Sequence, residues 1–176
     1  MKKVLLSLLM VAGLGFAASA QTEGAVQKLS IGAEFGFPTE KGSKNTLIAG
    51  GSLQYEHPVA KDLNLTGSAG YLSYMATGDA KDAAKALGLP TSFGFVPVKA
   101  GAKYYFGGNF YAAGELGAAF STEKGGETSF AFAPALGASF SVADKSSLDF
   151  GVRYETWSNN GSISFVGLRA AYSFGL

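Results

Sequence analysis

From residue 28 to the C-terminus, apolar residues and small or polar residues alternate one for one. Leu29, Ile31, Ala33, Phe35 and Phe37 interleave with Lys28, Ser30, Gly32, Glu34 and Gly36. Ala49, Gly51, Leu53 and Tyr55 interleave with Gly50, Ser52, Gln54 and Glu56, and Leu63, Leu65, Ala69 and Tyr71 with Asn64, Thr66, Ser68 and Gly70. The pattern returns at 130–140, 148–155 and 166–174. A period of two predicts strands with one apolar face. The chain holds about eight of them, each roughly ten residues long, the length with which a tilted strand crosses a bilayer.

The stretch 95–120 shows the pattern most fully. Val96, Val98, Ala100, Ala102, Tyr104 and Phe106 share one parity, and Lys99, Gly101, Lys103 and Tyr105 the other. Gly107, Gly108 and Asn109 then supply residues that tolerate positive φ, the requirement of a tight turn. The return strand places Phe110, Ala112, Leu116, Ala118 and Phe120 on one side, and Tyr111, Ala113, Glu115 and Gly117 on the other. Closing the hairpin with Phe106 against Phe110 sets Glu115 opposite Gly101. Lys99 and Lys103 are then its diagonal neighbours.

The connections alternate in length. Those near 57–62, 107–109 and 143–146 are short, whereas 38–46, 76–92 and 121–128 are longer and polar, and 158–161 is brief and polar. Short turns at one end and longer loops at the other describe a membrane barrel. Within the second long loop, residues 78–90 predict a short helix with Asp79 as its cap. Ala80, Ala83, Ala84 and Leu87 form one stripe, and Gly88 and Pro90 stop it. The tetrad Thr-Glu-Lys-Gly occurs at 39–42 and again at 122–125, both in long connections.

Charge decides which face is inside. Lys28, Glu34, Glu56, Lys99, Lys103, Glu115, Asp149, Arg153, Glu155 and Arg169 all fall on the small-residue face, and the apolar faces carry none. Between these charges that face holds mostly Gly, Ala and Ser, as a narrow lumen filled by long charged side chains requires. Aromatics gather toward strand ends: Phe35, Phe37, Tyr71, Phe93, Phe120, Phe130, Phe132 and Tyr154 at the long-loop end, and Tyr55, Tyr104, Phe106, Phe110, Phe140, Tyr172 and Phe174 at the other. Two such girdles mark the edges of a bilayer. An eight-stranded barrel is just wide enough for side chains to fill. Glu115 with Lys99 and Lys103, and Glu34, Glu155 and Asp149 with Arg153 and Arg169, therefore read as an ion-paired plug; the alternative is a polar path for ions.

The N-terminus is of another kind. Lys2 and Lys3 precede an apolar run from 4 to 16, and Ala18-Ser19-Ala20 follows. This is the form of a secretory signal peptide cleaved after Ala20, with Ala18 and Ala20 as its small residues. Residues 1–20 are the expected signal and 21–176 the barrel domain. The mature part keeps 12 basic residues, once Lys2 and Lys3 are removed, against 13 acidic ones. No basic excess offers itself to nucleic acid. The chain has no cysteine, so disulfides do not stabilise it.

The VPVKAGAKYYF strand with its tight turn into FYAAGELGAAF, the final strand GLRAAYSFGL and the signal segment together resemble the small outer-membrane β-barrel family, the OmpA-barrel and OmpX-like group. The resemblance covers essentially all of 21–176. It implies an all-β, eight-stranded, antiparallel up-and-down transmembrane β-barrel in a bacterial outer membrane, a monomer whose partners are outer-membrane lipid and the assembly machinery. Members often end in an aromatic that this machinery reads. Here Tyr172 and Phe174 share a face with a terminal Leu176. The expected role is structural or surface interaction through the loops, without cofactor or catalysis. The alternatives are a narrow porin-like channel for small solutes and a secreted soluble lipocalin-like barrel that binds a small apolar ligand. Hydrolysis at the outer mouth would need a base there, and the single histidine, His57, falls in an inner turn. The sequence shows no triad, metal-ligand cluster or phosphate loop.

Overall fold

The computed structural model describes residues 26–40 and 43–176. The cleavage site at Ala18 and Ala20 lies outside the described residues. Eight strands follow in chain order: β1 (Lys28–Pro38), β2 (Thr46–Ala60), β3 (Leu63–Ala76), β4 (Ser92–Phe106), β5 (Phe110–Ser121), β6 (Thr128–Ala143), β7 (Ser146–Ser158) and β8 (Ser162–Gly175). Each pairs antiparallel with its neighbour in sequence, and β8 returns to β1 to close the barrel. Closure leaves no strand edge exposed.

The strands run to 11–16 residues, longer than the alternation predicts. The extra residues lie beyond the apolar segments, where pairing continues into the loops. β2 is the clearest case. It extends through His57 to Ala60, with an irregular register at Pro58–Ala60, so the turn shrinks to Lys61 and Asp62. His57 is thus a buried strand residue, with Nδ1 3.3 Å from the Tyr55 hydroxyl, rather than part of a turn. The 107–109 turn forms as expected: Gly107 and Gly108 take φ of 61° and 83°, which residues with a Cβ rarely adopt. The predicted register holds as well, with Phe106 opposite Phe110 and Glu115 opposite Gly101.

In the long β3–β4 connection, α1 (Gly78–Ala86) forms, but Thr77 is its N-cap and no side chain caps it. Asp79 sits inside the first turn instead, where its charge favours the helix dipole. None of the helix residues is buried, so its alanine stripe covers nothing within the barrel.

The outer surface is apolar. Among the described residues, 31 large apolar side chains are exposed, including Ile31, Leu53, Leu116, Leu136, Val152 and Leu168 in mid-strand. Water-soluble monomers do not expose a continuous band of that extent. Most of the aromatics assigned to the girdles lie on this surface. Phe93 differs. It pairs with Tyr74, two residues beyond the inward-facing Phe95, so alternation places it at the barrel mouth.

Candidate functional site: the filled interior of the barrel

Lys103 anchors the interior at the short-turn end. Its Nζ is 2.8 Å from Glu56 Oε1 and 2.6 Å from Asp149 Oδ2. It also lies 3.9 Å from the centroid of the Tyr111 ring, a cation–π distance. Tyr105 and Asn64 each donate to Glu56 Oε2 at 3.0 Å, and Tyr111 donates to Asp149 Oδ1 at 2.8 Å. Tyr111 reaches Asp149 by lying across two glycines. A Cβ on Gly137 would come within 2.3 Å of its ring, and one on Gly151 within 2.7 Å of its hydroxyl. The small residues of the inward face are, at these positions, the space that a larger side chain occupies.

Further along the lumen, Arg169 and Arg153 converge on Glu34. Arg169 Nε is 3.3 Å from Glu34 Oε1 and also donates to Ser52 Oγ at 3.1 Å, while its Nη2 donates to Ser30 Oγ at 2.8 Å. Arg153 Nη1 donates to Glu34 Oε2, and its Nε to Glu155 Oε2 at 2.5 Å. Lys99 Nζ sits 2.9 Å from Glu155 and 3.5 Å from Glu115. Gln54 donates to Glu115 at 3.1 Å. Finally, Trp157 Nε1 donates to Glu155 Oε1 at 2.7 Å.

All eight charges assigned to the interior from sequence are therefore brought together. Glu34, Lys99, Lys103, Glu115, Asp149, Arg153, Glu155 and Arg169 form one network, which Glu56 completes. Five carboxylates face four cations, and each is paired. A buried charge left without such a partner would be strongly destabilising. Lys28 stands at the edge, 5.3 Å from the Tyr105 ring.

One expected pairing does not form. Lys103 binds Glu56 and Asp149 rather than its diagonal neighbour Glu115. The closed lumen offers it two carboxylates from other strands at hydrogen-bonding distance, closer than a diagonal along the hairpin allows. Tyr105, Tyr111 and Glu56 carry roles the sequence reading did not give them. Their parity, shared with Lys103 and Glu115, was the available signal.

The lumen is not polar throughout. At the long-loop end Ile48, Leu72, Ala119, Ala131, Trp157 and Phe165 form a buried apolar layer, with Tyr74 and Phe95 packed against it. Trp157 is 2% exposed and Phe165 not at all. Their rings meet edge to face at 5.2 Å between centroids, and Phe95 lies 4.9 Å from Trp157. Each of these residues shares its parity with the charges: Phe95 with Lys99, Trp157 with Glu155, and Phe165 with Arg169. Two cavities of about 20 and 40 Å³ lie on either side of Gln54, Glu115, Arg153 and Arg169, which line both.

At the C-terminus, Tyr172 and Phe174 are exposed on the outer surface with ring centroids 4.8 Å apart. Leu176 follows β8, its N–H bonded to Gln27 O at 2.8 Å.

No family model matches the chain, and no curated protein sequence matches it. Solved structures do. Neisserial surface protein A superimposes with a TM-score of 0.61 at 17% identity, over 85% of this chain and 97% of that one. Its fold is that of the eight-stranded outer-membrane β-barrels. The attachment invasion locus protein of Yersinia pestis matches at a TM-score of 0.54 and 20% identity, over 85% of this barrel chain and 99% of its own. OprG of Pseudomonas aeruginosa matches at 0.55 and 12%, over 86% and 96%. The barrel thus shares its full architecture with them and little of its sequence.

Proposed function

We propose that this chain is an integral barrel of the bacterial outer membrane whose interior is closed to solutes, and that it acts through its long-loop end as a structural or surface-interaction protein. The observation that carries the reading is the pairing of an apolar exterior with a filled lumen. The exposed band suits lipid, and two interior cavities between the ion pairs have room for only a few waters each. Two of the matched folds belong to an attachment invasion locus protein and a surface protein, which favours display of loops over transport or catalysis. On this reading the chain is exported by a cleaved signal peptide and works as a monomer without cofactor. The assembly machinery reads its last strand through Tyr172, Phe174 and Leu176, with a terminal Leu where an aromatic is common.

Refolded protein in planar bilayers is expected to give no steady conductance. Regular single-channel steps would replace this reading with that of a narrow channel. Heat-modifiable migration on gels and partition into detergent are expected for the membrane barrel. A chain that stays in solution without detergent would instead be a secreted barrel.

A further inference from the structure

The polar contacts of the lumen form an unbroken series that stops at one atom. They run from Tyr105 through Glu56 to Lys103, and on through Asp149, Arg169, Glu34, Arg153 and Glu155 to the indole N–H of Trp157. Beyond that N–H lies the buried apolar layer of Trp157, Phe165, Ile48, Leu72, Ala119 and Ala131, with Phe95 and Tyr74 packed against it. The two ends of the lumen are therefore filled by different physics.

The distinction matters for the smallest permeants. A packed ionic network stops hydrated ions by lack of room. Protons need less room, since they hop between waters, hydroxyls and carboxylates with none consumed. Each cavity exceeds the volume that one water needs. The smaller one is also lined by Ser68, whose hydroxyl oxygen is buried without a hydrogen-bond partner among the described residues, and a water there would satisfy it. Glu115 borders both cavities and joins them. Leu72 lines the smaller cavity and belongs to the apolar layer, so the waters would end against that layer. Apolar constrictions block by excluding water altogether.

We propose that the barrier to water and protons in this barrel is the apolar layer around Trp157 and Phe165, and that the ion pairs beneath it are proton-permeable fill. The proposal rests on the closed-barrel reading and extends it to which residues do the closing.

The test uses phosphatidylcholine vesicles loaded with pyranine and carrying refolded protein, challenged with a pH step. The wild type is expected to match empty vesicles. Trp157→Ala with Phe165→Ala should raise proton entry by about tenfold or more while potassium chloride conductance stays silent. Glu115→Gln with Lys99→Gln, which keeps the layer, should remain tight. A tight double-alanine variant, or a leaking Glu115→Gln/Lys99→Gln variant, overturns the proposal. A leaking or conducting wild type overturns the closed-barrel reading itself, a separate result. Heat-modifiable migration verifies folding. Phe95→Ala, which removes one ring at the rim of the layer and leaves Trp157 in place, carries the same test and the same outcomes where the double variant does not fold.

Discussion

Replacing Lys103 by methionine removes a cation that is 1% exposed in the interior. The side chain keeps nearly the same length, so the packing space stays filled and the loss is mainly charge. That loss leaves Glu56 without a cation and Asp149 with Arg169 alone at 3.7 Å, because Nζ lies 2.8 Å from Glu56 and 2.6 Å from Asp149, each with 1% exposure. Removing one member of a buried pair costs about 3–5 kcal/mol, most of it from the charge left behind. The tyrosine and asparagine bonds to the same carboxylates soften the loss, since Glu56 keeps Asn64 and Tyr105, and Asp149 keeps Tyr111. Lys103→Met should therefore destabilise the barrel by about 3 kcal/mol or more. Glu115→Gln offers the contrast. Its cation is 3.5 Å away and its other contacts are 3.1 and 3.5 Å, so about 1 kcal/mol is expected. Urea unfolding of the refolded barrel in lipid vesicles reads both, with the single Trp157 as fluorescent reporter. Adding Glu56→Gln and Asp149→Asn to Lys103→Met should restore much of the loss. Equal effects of Lys103→Met and Glu115→Gln, or no recovery in the triple variant, would refute the view that burial and contact distance set each charge's weight.

Other positions divide in the same way. Gly137→Ala should lower stability by about 1–3 kcal/mol, because its Cβ collides with Tyr111, whereas Gly114→Ala, whose Cβ meets nothing within 4 Å, should change little; the same urea titration compares them. Leu136→Arg, at an outward position 62% exposed, should cost about 2–4 kcal/mol in lipid vesicles. In a water-soluble barrel that exchange would be nearly neutral, and a neutral result would deny the outer surface its lipid contact. Leu87→Ser, just past the end of α1 and 74% exposed, should leave stability unchanged, since nothing in the barrel packs on it.

The alternation carried most of the fold because strand pairing between sequence neighbours is a local matter. The register of Glu115 against Gly101 follows from the 107–109 turn and two parities. Interior partners are a different problem. Lys103 meets Glu56 and Asp149 across separations of 47 and 46 residues, and only the curvature of the closed sheet decides which of several facing carboxylates it reaches. The apolar layer escaped for another reason. Phe95, Trp157 and Phe165 lie on the charged parity, each just outside the clear alternating runs 96–106, 148–155 and 166–174, so the pattern stops short of them. His57 misled because a proline after it suggested a turn, yet β2 accommodates Pro58 with an irregular register before Ala60.

The return of β8 onto β1 is the one pairing that joins distant parts of the chain; every other pair is a hairpin. Hairpins can form one by one, but the network cannot. Glu34 on β1 takes its cations from Arg153 on β7 and Arg169 on β8, and Lys103 on β4 takes Asp149 from β7. An unclosed sheet in a bilayer would hold these charges toward lipid, at considerable cost. Ion pairing and closure must then arrive in the same kinetic step. Partly zipped intermediates gain little from the charges they carry, and the barrel should insert and unfold in an all-or-none manner.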